Sequence, residues 1–405
     1  MDEETNNFKS LYNLNKPQVI WKNIEADLET PVSALIKLSK NKKYSFLLES
    51  VEGGITRGRY SAIGVNPDLI WQCKNGKSEL YHSEINSNNL ISKSNDPLSS
   101  LKNLINSTKI NLPKDLPPLS AGLFGYLGYD MVKYFEDIHL NDNDPLELPE
   151  SILIRPSLIC IFDRLKDEFM LVTPIWPKKG VSSSQAWSKA QDRLNIAIKE
   201  LNEGLTHSNL PLKPNTFTEF QADTNFKKEE YYNIVDKAKN FILEGDIYQV
   251  VLSQRFKTPF NKSSISFYRA LRRLNPSPFL FHFDFDSFSV VGSSPEILVR
   301  VRDKNCTIRP IAGTRPRGKT PEEDKNNEEE LINDEKERAE HLMLLDLGRN
   351  DVGRVSEPGT VEVTESFSVE KYSHVMHIES EVNGKLREGM TAIDALIAGF
   401  PAGTV

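Results

Sequence analysis

Residues 151–176, SILIRPSLICIFDRLKDEFMLVTPIW, are two apolar, β-prone runs joined by a short polar turn near Lys166-Asp167. A connection that short joins antiparallel neighbours, because a parallel pair needs a crossover of a dozen residues or more. Residues 43–73 repeat the pattern, and WQCKNGKSEL sets Asn75-Gly76 between two further β-prone runs. A two-residue type I′ turn needs φ > 0 at both central positions, which Asn-Gly supplies. GLFGYLGYDMVKYFE (122–136) has a phosphate loop's glycines but no G-K-[ST], and its aromatics point to close backbone packing instead.

The second half mixes elements. The pattern predicts a helix over 227–244 closed by Gly245, a strand over 247–256, a helix near 266–274, and strands around 280–291 and 297–301. Thr320-Pro321-Glu322-Glu323 opens another helix with an N-cap, Pro at N1 and a capping-box Glu. No βαβ repeat or G-x-G-x-x-G is present, so the fold class is α+β with mainly antiparallel sheets. At 405 residues the chain is too long for one ordinary domain. A helix over 184–201 precedes the Asn-, Thr- and Pro-rich stretch 202–225, the natural linker between domains 1–215 and 224–405.

Composition narrows the function. Net charge −7 gives no basic field for nucleic acid or anionic membrane. Cys73, Cys160 and Cys306 are odd in number, widely spaced and without a C-x-x-C pair, as in a reduced cytoplasmic protein without a thiolate metal site. The polar, acidic start MDEETNNFKS is no signal or transit peptide, and no apolar run reaches membrane-spanning length.

Chemistry concentrates in DEKERAEHLMLLDLGRNDVGR (334–354), where Glu337 and Glu340 stand three residues apart ahead of an apolar run at helical spacing. Positions i and i+3 share a helix face. Two carboxylates at the edge of a core repel unless a cation holds them, and oxygen-only donors suit Mg²⁺. A solvated acidic face would show the same two letters.

Several segments, in order, carry a resemblance: LLES (47–50), GRYS (58–61), GYLGYD (125–130), GDIYQVVLSQRF (245–256), NPSPFLF (275–281), GSSPE (292–296), RPIAGTRPRG (309–318), EHLMLLDLGRNDVGRV (340–355), YSHVMH (372–377) and FPAGTV (400–405). The chain resembles the chorismate-utilising enzymes, and among them anthranilate synthase component I, over nearly its whole length. The resemblance implies two mainly antiparallel sheets packed as a sandwich with surrounding helices. It implies the conversion of chorismate and ammonia to anthranilate and pyruvate, the first step of tryptophan biosynthesis. A separate glutamine amidotransferase subunit would supply the ammonia, and tryptophan would inhibit.

By the same resemblance Glu340 meets a Mg²⁺ cofactor, with Glu337 beside it through water. Gly313 and Thr314 contact chorismate, as Gly403 and Thr404 would. Glu296 helps the ring hydroxyl leave, a general acid's task, and His377 serves pyruvate loss. Gln249 falls where water-adding relatives carry a lysine base, which favours ammonia as nucleophile. Ala312 falls where aminodeoxychorismate synthases typically carry lysine. Glu49 and Ser50, with Pro278, Phe279 and Leu280 from the other half of the sequence, match a tryptophan pocket: an acid for an ammonium and an apolar wall for an indole. Arg349 suits an internal ion pair and is given no role. Relatives continue beyond the last motif, FPAGTV, with further metal and substrate ligands, so a C-terminally truncated chain, inactive alone, is expected. Two rivals remain: an aminodeoxychorismate synthase component I, and a noncatalytic tryptophan-binding fragment.

Overall fold

The computed structural model describes residues 3–52, 56–140, 144–205 and 222–403, so 206–221 of the expected linker lie outside the described residues. The chain forms two compact units. The first comprises Met1–Thr206, Ser264–Glu296 and Lys371–His374; the second comprises His207–Ser263, Ile297–Glu370 and Val375–Val405. The segment Ser264–Glu296, which follows the linker in sequence, thus belongs to the first unit.

The first unit is built on a ten-stranded sheet. Its main path uses β1 (Gln18–Glu25), β2 (Ser45–Glu49), β3 (Tyr60–Lys74), β5 (Ser151–Asp163), β6 (Glu168–Ile175), β7 (Phe279–Asp284) and β8 (Ser289–Ser294) in the order β1-β6-β5-β3-β2-β7-β8, with β4 (Lys77–Tyr81) beside β3. Both predicted hairpins form. Asp167, with φ 51°, helps turn β5 into β6, while Asn75 and Gly76, at φ 51° and 75°, turn β3 into β4. Strand β5 is buried on both faces, which accounts for its nearly unbroken apolar sequence. Leu158, Cys160 and Phe162 join one core; Ile159 and Ile161 join the other.

Helix α1 (Ser183–Leu201) covers the first core with Ala186, Ala190, Leu194, Ala197 and Leu201, one stripe at 3.6-residue spacing. A capping box between Ser182 and Gln185 starts it. Helix α2 (Ser264–Leu274) places Tyr268 in the same core. On the opposite face lie the aromatic residues Phe46, Phe283 and Phe285, with Phe124 stacked on Phe46 at 4.4 Å. The glycines of 122–136 do serve backbone packing: a Cβ on Gly125 would lie 1.9 Å from Ile152 O, and one on Gly128 would lie 2.7 Å from Glu150 O.

The second unit holds a five-stranded sheet in which β9 (Arg300–Arg302), β10 (Asn305–Ile308), β11 (Ile311–Pro316) and β13 (Val375–Lys385) run β9-β10-β13-β11, with β12 (Glu362–Lys371) also on β13. Helices α3 (Pro321–Asn333) and α4 (Glu335–Val355) accompany it. Thr320 caps α3 as predicted by accepting from Glu323 N, while the Glu323 carboxylate accepts from Lys319 N. An earlier helix, Lys228–Glu244, ends on Gly245 in the left-handed conformation (φ 80°).

One expectation fails. Residues 247–255 are irregular rather than a strand, and only Phe256–Lys257 pairs, with Asp223–Thr224. The apolar β-formers Val250 and Val251 are 45% and 58% exposed. Strand propensity expresses packing on a pleated, half-buried surface, and among the described residues no longer strand lies against this stretch.

Candidate active site and regulatory pocket

Helix α4 begins at Asp334, whose carboxylate accepts from the backbone N–H of Lys336 at 3.0 Å and Glu337 at 3.1 Å. Its buried stripe, His341, Leu344, Leu345, Gly348, Asp351, Val352 and Val355, packs on β10 and β13. Glu337 stands one turn ahead of His341 and Glu340 one turn ahead of Leu344, so both half-buried carboxylates head this face. Glu340 Oε1 accepts from Gln249 Nε2 at 3.3 Å. Glu337 Oε1 lies 3.5 Å from Arg315 Nη1. His341 is fully buried, with Nε2 2.7 Å from Ser380 Oγ, and burial pushes its imidazole down to about 4.

Opposite this helix face, β11 pairs with β13 and the register breaks between Ala312 and Thr314. Gly313 sits at the break with φ 76°. A Cβ there would lie 3.3 Å from each of Glu337 Oε2, Ile378 Cδ1 and Leu331 Cδ1. Conformation and space thus both call for glycine. Beyond the break Thr314 pairs with His377. His377 Nδ1 lies 2.9 Å from Gly313 O and 3.1 Å from Thr314 Oγ1. A carbonyl only accepts, so Nδ1 carries the hydrogen and Nε2 is the basic nitrogen. The second unit therefore gathers six of the predicted residues: Gln249, Gly313, Thr314, Glu337, Glu340 and His377.

Among the described residues no group of three or more His, Cys, Asp or Glu side chains is placed to hold a metal. What α4 offers is a pair of carboxylates. Mg²⁺ takes one or two protein carboxylates and completes its shell with water and substrate oxygens, so this donor set fits Mg²⁺ and lacks the nitrogen and sulfur donors that zinc prefers.

Glu296 ends the last β-rich segment of the first unit, half-buried, with its backbone N–H 3.4 Å from Ser294 Oγ. Gly403 packs against α4, where a Cβ would lie 2.6 Å from Leu344 Cδ2. Thr404 lies outside the described residues. Arg349 forms the internal pair expected of it, 3.3 Å from Asp346 on the same helix.

Glu49, Ser50, Pro278, Phe279 and Leu280 all border one cavity of about 740 Å³ within the first unit. The β2–β7 pairing unites the two stretches, with Leu280 opposite Glu49. Phe124, Tyr126, Phe281 and Phe283 also line it, so its wall is aromatic. The Glu49 carboxylate already has partners: it accepts from Tyr268 Oη at 2.7 Å, Arg272 Nη2 at 2.8 Å and Arg164 Nη2 at 3.0 Å. Sequence reasoning missed these three. Arg164 follows β5, and Tyr268 and Arg272 lie on one turn of α2, so only the tertiary fold brings them to Glu49. Arg315 was missed too, although its position directly after Gly313-Thr314 was a usable signal.

The profile of the chorismate binding enzyme family matches residues 45–405. Anthranilate synthase component 1 of Cereibacter sphaeroides is 47% identical over 403 residues, covering 98% of this chain and 79% of that protein. The protein of the same name from Aquifex aeolicus is 42% identical over 388 residues, with 95% and 77% covered. The crystal structure of anthranilate synthase component I from Streptococcus pneumoniae superposes with a TM-score of 0.71 at 33% identity, covering 86% of this chain and 73% of that one. MenF, the menaquinone-specific isochorismate synthase of Escherichia coli, shares the fold, with a TM-score of 0.62 at 17% identity over 98% of this chain and 79% of its own.

Proposed function

The chain belongs to the chorismate binding enzymes, and on that premise we propose that it carries out the anthranilate synthase reaction, the first step of tryptophan biosynthesis. Chorismate and ammonia give anthranilate, pyruvate and water. The observation that carries this reading is the meeting of Gly313, Thr314 and His377 at one strand register, with Gly313 also facing Glu337.

The site residues divide the work. Gly313 lets backbone approach the substrate, and the Thr314 hydroxyl donates to a substrate carboxylate. Glu337 and Glu340 would hold Mg²⁺, which supplies positive charge for the carboxylate of a dianionic substrate bound to an acidic protein. Ammonia adds to the ring as the ring hydroxyl is protonated and leaves as water, the general acid's task that the family resemblance assigns to Glu296. Ammonia brings its own lone pair, so neutral Gln249 suffices where water would need a base. In the second stage a ring C–H proton is removed, the enolpyruvyl C–O bond breaks, and the methylene carbon gains a proton as pyruvate forms. His377 Nε2 handles the ring proton, because Nδ1 is held by Gly313 O. In the cell a partner amidotransferase subunit releases the ammonia from glutamine.

The aromatic cavity of the first unit is proposed as the tryptophan feedback site. Ser50 at its rim meets the amino acid's charged end, and the aromatic wall takes the indole.

His377→Gln tests the catalytic assignment. With chorismate and ammonium, the variant should consume chorismate and accumulate an aminated, pyruvyl-bearing intermediate, seen by liquid chromatography and mass spectrometry. Unchanged anthranilate formation would remove His377 from the second stage.

A further inference from the structure

Arg315 is the one cation bonded to the Glu337 carboxylate among the described contacts, and it is anchored from three sides. Its Nε donates to Glu330 Oε1 at 2.9 Å and its Nη2 donates to Asp334 Oδ2 at 2.7 Å. Its Nη1 is shared between Thr314 O at 3.0 Å and Glu337 Oε1 at 3.5 Å. A planar guanidinium cannot turn away from one partner without breaking the others. Asp334 is fixed in turn, because its other oxygen caps α4. The charge beside Glu337 is therefore built into the junction of β11, α3 and α4.

Glu340 has a different neighbour. Its oxygen accepts from a neutral amide, Gln249, at 3.3 Å. The two carboxylates of one helix face thus differ: one is opposed by a fixed positive charge, and the other is oriented without loss of charge.

We propose that Arg315 is a positioning residue that holds Glu337 back from the cation, leaving Glu340 as the member of this pair that meets the ion directly and weakening metal binding until a dianionic substrate arrives. The inference rests on the reading of Glu337 and Glu340 as Mg²⁺ ligands. A carboxylate oxygen shared with a guanidinium is a poorer donor to a second cation, and the guanidinium itself repels the ion. Mg²⁺ keeps several waters and needs few carboxylates, so a tethered Glu337 can reach it through water.

The test is a double-mutant cycle read by calorimetric titration of Mg²⁺, and of Mn²⁺ by electron paramagnetic resonance, into the protein without chorismate. Arg315→Gln should tighten binding at least fivefold, and should raise Ca²⁺ affinity more, because Ca²⁺ uses additional carboxylates readily. Glu337→Gln should weaken binding less than threefold in the native background and at least fivefold beside Arg315→Gln. Glu340→Gln should cost tenfold or more. A merely structural Arg315 would give the opposite sign, since a loosened helix start binds the ion less well. Unchanged or weaker binding by Arg315→Gln, or additive effects at 315 and 337, would overturn the proposal. Should Arg315→Gln fail to fold, the native-background comparison decides, and equal costs for Glu337→Gln and Glu340→Gln would overturn it. If the wild-type protein binds neither ion, the metal reading itself fails.

Discussion

Gln249 Nε2 lies 3.3 Å from Glu340 Oε1, joining the irregular stretch after helix Lys228–Glu244 to the head of α4. The stretch that fails to form a strand thus presents a side chain to the carboxylate read as the principal metal ligand. A neutral amide orients Glu340 while leaving its charge available; an ammonium would neutralise it. Gln249→Lys should therefore raise the Mg²⁺ concentration needed for half-maximal activity by about tenfold, a difference of about 1.4 kcal/mol. Titration of activity against Mg²⁺ checks it, and an unchanged requirement would separate Gln249 from the metal.

Gly313 should be intolerant of any side chain. Its φ of 76° makes a non-glycine residue cost about 1–2 kcal/mol, and the new Cβ would press on Glu337, Leu331 and Ile378. Gly313→Ala is expected to lower stability by that amount in denaturant titrations and to raise the chorismate KM. An Ala variant with native stability and KM would mean that β11 can relax there.

Asp351 should leave a signature in the pH dependence of stability. Buried on α4, its carboxyl is pushed up to about 6, chiefly by desolvation and against the pull of Arg354. Between about 4 and about 6 the folded protein holds a proton that the unfolded chain has lost, so stability declines as pH rises through that window. Asp351→Asn removes the ionisation. It should match wild type at pH 4 and be more stable at pH 7.5 by roughly 2 kcal/mol, the order expected of such a shift. Parallel stability–pH curves would contradict this.

The neighbours Glu49 and Ser50 should behave differently. Removing the Glu49 carboxylate takes the shared acceptor from Tyr268, Arg272 and Arg164, and breaking a buried pair on one side costs roughly 3–5 kcal/mol. Glu49→Ala should thus destabilise the first unit broadly, lowering the melting temperature as well as tryptophan binding. Ser50→Ala should leave the melting temperature near native and weaken tryptophan inhibition. A stable Glu49→Ala protein that has lost only inhibition would show that Glu49 meets the ligand directly.

Elements marked by local chemistry were legible in the sequence. Asn75-Gly76 dictated its hairpin through φ, Thr320-Pro321 its helix start, and Gly245 its helix end. The E-x-x-E spacing placed Glu337 and Glu340 on one face because α4 is regular. What was hidden depends on long-range pairing. Nothing local says that Phe279–Asp284 pairs with Ser45–Glu49, so the assignment of Ser264–Glu296 to the first unit was out of reach. The stretch 247–255 misled because β-propensity is fulfilled only by a neighbouring strand. The guanidiniums on Glu49 were invisible for the same reason, since Arg164 stands 115 residues away and Arg272 stands 223 away.

The most direct measurement is product analysis after the protein is incubated with chorismate, ammonium and Mg²⁺ at mildly alkaline pH. Anthranilate fluorescence should rise with equimolar pyruvate and be suppressed by tryptophan, against the inactivity expected of a truncated chain on sequence grounds. An aminated product that keeps its pyruvyl group, or isochorismate formed by addition of water, would contradict the assigned reaction.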